Sequence, residues 1–315
     1  MSFSTIQSGV AQGILWAILT LGVYLTFRVL DIADLTIEGT FPLGAATTVV
    51  LLNAGVNPVL AVLLAIAAGM CAGLVTGLLI TRFKIPPILS GILTQIALYS
   101  VNIRIMSDKA TVSIAGNSVK KMVQGLFPAG TKSNTMSICV GFMICALIIL
   151  LLYRFFGTEV GCAIRATGNN RNMARAQGIN TETMTILCLM ISNGLVALSG
   201  SLIAQFDYGS ALVNMGQGTI VIGLASIIIG EVLFGTRSFK NCLISVILGS
   251  IVYRGVIAIV LQMGMPPNDL KLFTAVLVAI ALSLPLIQSR WRKMRRGQMA
   301  DPDNGKEART KGASC

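Results

Sequence analysis

Histidine is absent from this 315-residue sequence, and charged residues make up only 11% of it. Without histidine, the chain lacks the side chain that most readily exchanges protons at neutral pH and the commonest metal ligand of proteins. Its seven cysteines are scattered, mostly in or at the edges of apolar runs, and form no Cys-x-x-Cys pair. The sequence therefore predicts neither a zinc site nor a disulfide framework, and we expect no metal ion or cofactor to be bound by this chain.

The scarcity of charge also excludes an ordinary soluble domain, because such domains carry about 25% charged residues. Hydrophobic residues supply 54% of the sequence. A helix needs roughly 20 apolar residues to cross a bilayer, so a chain of this length holds about eight to ten spans. We predict an all-α fold, a polytopic membrane helical bundle of about 8–10 transmembrane segments that includes discontinuous helices. The predicted spans are residues 9–27, 42–52, 58–80, 86–106, 135–153, 183–204, 218–234, 242–261 and 270–287.

No hydrophilic block is large enough for a second folded unit, so residues 1–290 are interpreted as one transmembrane domain. The first apolar run has no basic segment before it and no small-residue cleavage site after it, so we expect no cleaved signal peptide. Pro42, Pro58 and Pro86 stand at the start of predicted spans, where a helix tolerates a residue without an N–H. Glycines at 69, 73 and 77 repeat on one helical face and predict close helix packing.

Basic residues are unevenly distributed along the chain, which has 24 Lys and Arg against 12 Asp and Glu. Most of them lie in residues 81–85, 154–182, 235–241 and 289–315. Basic residues beside spans mark the cytoplasmic side, which makes these segments cytoplasmic and residues 107–134 external. We therefore predict a multi-pass protein of the cytoplasmic membrane. Its cytoplasmic C-terminal tail, residues 291–315, is predicted to be disordered and attracted to anionic lipid rather than to nucleic acid.

Residues 125–132 (GLFPAGTK) come close to a phosphate-binding loop. Such a loop needs a lysine directly after its second glycine, on a turn from a strand into a helix. Here Thr131 separates Gly130 from Lys132, and no strand-helix-strand context surrounds the segment. We predict that the chain has no ATPase site of its own.

Two polar segments that contain glycine, residues 31–45 and 207–219, precede unusually short apolar runs. Irregular backbone at membrane depth is tolerated only where it is buried in protein or lines a cavity, and paired interrupted segments often mark the substrate path of a transporter. The alternative is that both are ordinary external loops. The candidate path residues are Thr36, Glu38, Gly39, Thr40 and Phe41, with Asn214 and Gln217 from the second segment.

Ionisable residues inside spans are further functional candidates. Arg254 falls near the middle of a predicted span, and we expect it to form an internal ion pair or to contact backbone carbonyls. Glu231 stands near the cytoplasmic end of its span. Together with Glu38, it is the carboxylate on which an ion-coupled secondary transporter would depend.

The polar and basic stretch at residues 157–184 predicts a docking element. Asn169 or Asn170 can cap a short helix, and Gly178 can end it in the left-handed conformation. This predicts a helix of about two turns over residues 171–177. Arg171 and Arg175 share one of its faces, and the small Ala174 and Ala176 would let a partner protein approach. The alternative is a solvated loop bound to lipid headgroups.

This stretch contains the pattern G-x3-RATGN-x4-AR-x2-GIN, beginning at Gly161. The pattern resembles the coupling-helix loop of permease subunits of ABC importers, in the group that transports branched-chain amino acids, ribose and nucleosides. The segment LDIADLTIEGTFPLGAA, residues 30–46, is similar to tryptophan/tyrosine-type members of that group. Together the similar stretches cover most of residues 10–290.

The resemblance implies a homodimer of permeases that works with two separate ABC ATPase subunits and an extracellular or periplasmic solute-binding protein. ATP is then hydrolysed by the partner subunits, which grip the coupling loop, residues 157–182. The residues implied in ATPase coupling are Arg165, Asn169, Arg171, Ala174, Arg175 and Gly178. The implied substrate is an aromatic or branched-chain amino acid, with nucleosides or small sugars as the alternative. An ion-coupled secondary transporter is the competing hypothesis, and an intramembrane enzyme lacks any recognisable nucleophile–base pair.

Overall fold

The computed structural model describes residues 3–115, 118–124, 133–235 and 238–264, together with 269, 272–276, 278, 279 and 283. These residues form eleven α-helices of six residues or more and one two-stranded antiparallel ribbon. The helices are α1 (Phe3–Tyr24), α2 (Ile37–Asn53), α3 (Pro58–Thr81), α4 (Pro87–Ile105), α5 (Val119–Gln124), α6 (Ser133–Phe156), α7 (Glu159–Asn169), α8 (Arg171–Ala176), α9 (Thr181–Ile203), α10 (Thr219–Phe234) and α11 (Phe239–Gln262). The strands are β1 (Thr111–Ser113) and β2 (Ser210–Leu212), with Val112 opposite Ala211.

Seven helical segments of the described chain are long and apolar enough to span a membrane. They correspond to seven of the nine predicted spans, and the predicted all-α polytopic fold is confirmed. The span predicted at 42–52 is α2, which has 17 residues. The last predicted span, 270–287, lies mostly outside the described residues, although residues 272–276 are helical. The loop 125–132 and the tail 291–315 also lie outside the described residues.

Several helices are discontinuous, as the sequence predicts. α1 and α9 each pass into a five-residue π-helical turn, Leu25–Val29 and Ala204–Tyr208. A 3₁₀ turn, Val213–Gly216, precedes α10. π-turns in α-helices are frequent at functional sites, and these two lie next to the polar segments 30–36 and 207–219.

Capping residues and prolines mark where helices begin, and one helix begins earlier than predicted. Asn57 caps α3, and Pro58 takes its first position. Pro42 instead lies inside α2, which begins at Ile37. Because proline has no N–H, the carbonyl of Glu38 lacks its usual helical hydrogen bond.

The core is centred on α1 and α9, the two spans with the largest buried share. α9 packs against α3 along the predicted glycine face. A Cβ at Gly69 would collide with the backbone of Asn193, and one at Gly73 would collide with the carbonyl of Leu189. The absence of side chains at these positions therefore brings the two backbones together, which confirms the packing role of the repeat.

Arg28 and Glu231 connect the end of α1 to the end of α10. The guanidinium donates from Nε at 2.9 Å and from one terminal nitrogen at 2.7 Å to the two carboxylate oxygens. The connection between α3 and α4, the helices between α6 and α9, and the start of α11 also lie at this end of the bundle, and we call it the basic end. Since α1 runs toward it, the start of α1 lies at the opposite end, where the ribbon is found.

Replacing Gly44 with alanine is expected to lower the melting temperature of the detergent-purified protein, because a Cβ there would collide with the carbonyl of Ala197. Overpacking of this kind costs about 1–3 kcal/mol. Gly255→Ala is the matched control, since a Cβ at Gly255 meets no atom of the described residues within 4 Å. Alanine is also favoured over glycine in a helix interior by about 1 kcal/mol. Equal melting temperatures for the two variants would contradict the close contact between α2 and α9.

Candidate functional site

The polar segment between α1 and α2 reaches the interior of the bundle. Asp34 accepts the backbone N–H of Thr36 at 3.0 Å and the side-chain amide of Asn193, in α9, at 2.8 Å. The amide oxygen of Asn193 accepts the hydroxyl of Thr40 at 2.8 Å. All four residues are buried. The segment is therefore held inside the protein by hydrogen bonds, which argues against an ordinary external loop.

Glu38 joins the two interrupted segments. Its carboxylate accepts the backbone N–H of Gly218 at 2.9 Å and the side-chain amide of Gln95, in α4, at 3.1 Å. A cavity of about 230 Å³ lies at this junction, and we call it the Glu38 cavity. Its lining consists of Glu38, Gly39, Pro42, Gln95, Ile96, Tyr99, Asn102, Val213, Asn214 and Gln217. Four of the seven predicted path residues thus share one cavity, although they come from two distant segments.

Backbone geometry explains how the second segment comes so close to Glu38. Gly216 packs on the carbonyl of Glu38, where a Cβ would collide. Gly218 has φ +81°, a conformation that glycine adopts without the strain of a Cβ. This turn starts α10 and directs the N–H of Gly218 at the carboxylate.

The other three predicted path residues are placed differently. The hydroxyl oxygens of Thr36 and Thr76, in α3, lie 2.7 Å apart. The ring of Phe41 packs against Trp16 with the ring centroids 5.3 Å apart. Thr36, Thr40 and Phe41 are fully buried and do not line the Glu38 cavity. The reason is that α2 has interior neighbours on several faces, whereas only one face meets the cavity.

Four polar residues near this site were not predicted: Asp34, Gln95, Asn102 and Asn193. Asn102 donates to the carbonyl of Gly39 at 3.1 Å. Gln95 and Asn102 are seven positions apart, so they share one face of α4. Asn193 stands in the middle of α9. Polar side chains within spans mark function by default, and among residues within spans the prediction considered only the ionisable ones. Asp34 is ionisable but lies in the polar segment before α2, where it was not singled out.

Arg254 has an aromatic partner instead of the predicted ion pair or carbonyl contact. The guanidinium carbon lies 3.7 Å from the centroid of the Trp16 ring, well within the range of about 6 Å for a cation–π interaction. Among the described residues Arg254 forms no ion pair, and its Nε has no hydrogen-bond partner. The ring of a tryptophan from α1 is thus the partner that the sequence did not reveal.

The predicted docking element forms α7 and α8 at the basic end. Asn170 accepts the backbone N–H of Met173 at 3.0 Å and caps α8. Gly178 follows the helix with φ +81°, as expected of a left-handed helix end. The short capped helix is confirmed, although it ends at Ala176.

The two arginines of α8 point toward α9. Nε of Arg175 donates to the hydroxyl of Thr181 at 2.9 Å, and a terminal nitrogen of Arg171 donates to that of Thr185 at 3.3 Å. Both arginines also line a cleft of about 630 Å³ beside the connection between α3 and α4. The shared face predicted for Arg171 and Arg175 therefore fixes α8 to the first turns of α9.

The outward face of α8 differs in part from the prediction, since Ala176 is exposed as expected but Ala174 is not. Ala174 is only 2% exposed, because it packs toward its own chain, whereas Met173 is 61% exposed. In α7, Arg165 lies over the ring of Phe239 at 5.6 Å from its centroid, and Asn169 is exposed. A partner at this end would thus meet Met173 rather than Ala174.

Residues 5–282 match the family described as branched-chain amino acid transport system, permease component. The chain belongs to this permease family. The permease is 41% identical over 280 residues to the tyrosine transport system permease protein of Clostridioides difficile, covering 89% of this chain and 91% of the relative. It is 27% identical over 277 residues to the galactofuranose transporter permease protein of Escherichia coli, covering 87% of this chain and 76% of the relative.

Among solved structures, the permease aligns with PsaBC from Streptococcus pneumoniae in complex with Fab, with a TM-score of 0.49 and 17% sequence identity. The alignment covers 89% of this chain and 91% of that chain. The family assignment makes the chain the permease subunit of an ABC importer. A permease of this kind works with ATPase and solute-binding partners.

Glu38→Ala in the permease is expected to reduce the melting temperature and the initial uptake rate. The N–H of Gly218 and the amide of Gln95 would each lose an acceptor. Both groups are half-buried, so the loss should cost less than the roughly 1–3 kcal/mol of a fully buried unsatisfied group. Glu38→Gln is the matched control, because its amide oxygen still accepts one of these hydrogen bonds. Equal losses in the two variants would contradict the role of these hydrogen bonds.

Proposed function

We propose that this permease imports an aromatic amino acid, with tyrosine as the first candidate. It acts as one of two identical copies, with two ATPase subunits and an extracellular or periplasmic solute-binding protein. The 41% identity with a tyrosine transport permease supports the substrate class. Branched-chain amino acids are the second candidate, and the similarity to a galactofuranose permease makes small sugars the alternative.

The transport path is inferred from the junction at Glu38. Irregular backbone within a membrane bundle is stable where it lines a cavity, and two interrupted segments of this chain meet around one cavity. The path therefore runs past Glu38, Gly39, Asn214 and Gln217. The buried Thr36, Thr40 and Phe41 hold α2 in place behind it.

The basic end is placed in the cytoplasm, since basic residues collect on that side of a membrane protein. Arg28, Arg154 and Arg171 all lie at this end. The start of α1 is then external, and the tail at 291–315 is cytoplasmic and close to anionic lipid. The end that carries the ribbon of β1 and β2 faces the solute-binding protein.

The ATPase docks on α7 and α8. Arg165, Asn169 and Met173 supply the exposed contact surface, whereas Arg171, Ala174, Arg175 and Gly178 hold the helix in position. ATP is bound and hydrolysed by the partner subunits, which move α8 as they close.

α9 carries this movement to the path. Arg175 fixes α8 to Thr181 at the start of α9, and Asn193, further along the same helix, is hydrogen-bonded to Thr40 in α2. Glu38 lies in the first turn of α2. One rigid helix therefore contacts both the docking element and the element that lines the cavity, which is the physical requirement for coupling the two.

Met173→Glu is expected to weaken co-purification of the ATPase subunit in mild detergent, because it places a charge on the exposed apolar contact of α8. The matched control is Met263→Glu, which alters a methionine that is also exposed but lies at the opposite end of the bundle. The control should retain the ATPase. Equal recovery of the ATPase with both variants would contradict docking on α8.

The function is tested by uptake into proteoliposomes that contain the full complex. We expect uptake of tyrosine that depends on ATP hydrolysis and exceeds uptake of leucine and galactose. Glu231→Gln should leave this uptake nearly unchanged, because the glutamine amide oxygen still accepts a hydrogen bond from Arg28 and Glu231 does not line the Glu38 cavity.

Two results would overturn the proposal. Uptake that needs no ATP and is abolished by Glu231→Gln would identify an ion-coupled secondary transporter. ATP-dependent uptake that prefers galactose to tyrosine would identify a sugar permease. Each outcome replaces the proposed substrate or energy source with a specific alternative.

A further inference from the structure

A second cavity of about 450 Å³ adjoins the segment that closes the Glu38 cavity. Gln217 lines both cavities. Trp16, Tyr208 and Tyr253 supply aromatic walls, and Arg254 supplies the positive charge. We call this the Arg254 cavity.

Three polar atoms of residues that line this cavity lack hydrogen-bond partners. Nε1 of Trp16, the hydroxyl of Tyr253 and Nε of Arg254 are buried without a hydrogen bond, and they are three of only four such side-chain atoms in the described chain. Tyr253 is fully buried and Trp16 is 3% exposed. Leaving such groups unsatisfied is costly, and native proteins rarely do so without a reason.

All three groups can donate a hydrogen bond, and the indole and guanidinium groups can only donate. They therefore match a ligand that presents acceptors, and the positive charge of Arg254 favours an anion. Guanidinium groups suit carboxylates because their N–H groups form a planar fork.

The protein does not supply this anion from the residues that the structure describes. The nearby Asp207 accepts the side-chain amide of Gln12 at 2.9 Å and forms no ion pair with Arg254. The face of the Trp16 ring is the close partner of the Arg254 guanidinium, and the Asp207 carboxylate acts on this charge only from beyond ion-pair distance. A carboxylate that enters the cavity would lie beside the cationic side chain of Arg254, with Trp16 and Tyr253 also in the cavity lining.

We propose that the Arg254 cavity binds the carboxylate of an aromatic amino acid and packs the substrate ring against its aromatic walls. Arg254 pairs with the carboxylate, and Trp16 and Tyr253 donate hydrogen bonds to it. The inference rests on the proposed function and deepens it, since it assigns substrate recognition to the permease itself. Gln217 connects this site to the Glu38 cavity.

The test measures ligand binding through Trp16 fluorescence. The chain has two tryptophans, and Trp291→Phe leaves Trp16 as the sole indole of the full-length permease in nanodiscs of zwitterionic lipid. The probes are L-tyrosine, 4-hydroxyphenylpropanoate and tyramine, read with excitation selective for indole. The two carboxylates should change the signal saturably, whereas tyramine, which has the ring and the amine but no carboxylate, should not.

Two variants locate the site within the cavity. Tyr253→Phe keeps the ring and removes only the hydroxyl, and it should weaken tyrosine binding by about tenfold, the effect of losing one hydrogen bond to a charged group. Arg254→Gln should abolish the response. Tyr153→Phe, at an exposed tyrosine, is the matched control and should bind as the unaltered protein does. Melting temperatures establish that each variant is folded, and Tyr253→Phe alone decides the matter if Arg254→Gln does not fold.

Several outcomes would overturn the inference. These are an equal response to tyramine and tyrosine, unchanged binding in Tyr253→Phe, and a response to phosphatidylglycerol in the nanodisc in place of the aromatic carboxylates. ATP-dependent uptake of tyrosine without any fluorescence response would contradict binding in the Arg254 cavity but support the proposed function. Carboxylate-specific binding without tyrosine uptake by the full complex would support the binding site but contradict the proposed function.

Discussion

The hydrogen bonds of Asn193 hold the interior of this permease together. Hydrocarbon offers no hydrogen-bond partners, so each polar group within the bundle must be satisfied by the protein. Asn193 donates to Asp34 and accepts from Thr40, and it thereby ties α9 to the polar segment before α2. Without these bonds the buried Asp34 and Thr40 would keep only their hydrogen bonds to Thr36, within the same segment, and would lose those that join them to α9.

The position of α2 decides where the cavities form. With the start of α2 held against α9, Glu38 faces α4 and the turn before α10. Its carboxylate then holds the 213–218 segment, which has the Glu38 cavity on one side and adjoins the Arg254 cavity through Gln217. Two stretches that are far apart in the sequence thus become one structural unit through a single side chain.

The arginines at the basic end and the arginine within the bundle differ in their hydrogen bonding. At the basic end, Arg171 and Arg175 are hydrogen-bonded to threonines of α9 and serve the protein's own architecture. Within the bundle, Arg254 stacks on Trp16 but retains an unpaired Nε. Satisfied donors favour rigidity and suit the transmission of movement, whereas unsatisfied donors beside a cavity suit a ligand.

The sequence by itself determined seven of the spans, the short capped helix α8, the glycine face of α3 and the two interrupted segments. These features depend on hydrophobicity over a window, on capping groups a few residues away and on helical periodicity, all of which are local. Only the tertiary structure decided that Ala174 is buried and Met173 exposed, that Thr40 bonds to Asn193, and that Trp16 is the partner of Arg254. Periodicity identifies which residues share a face, but which helix that face meets depends on packing between segments distant in the chain.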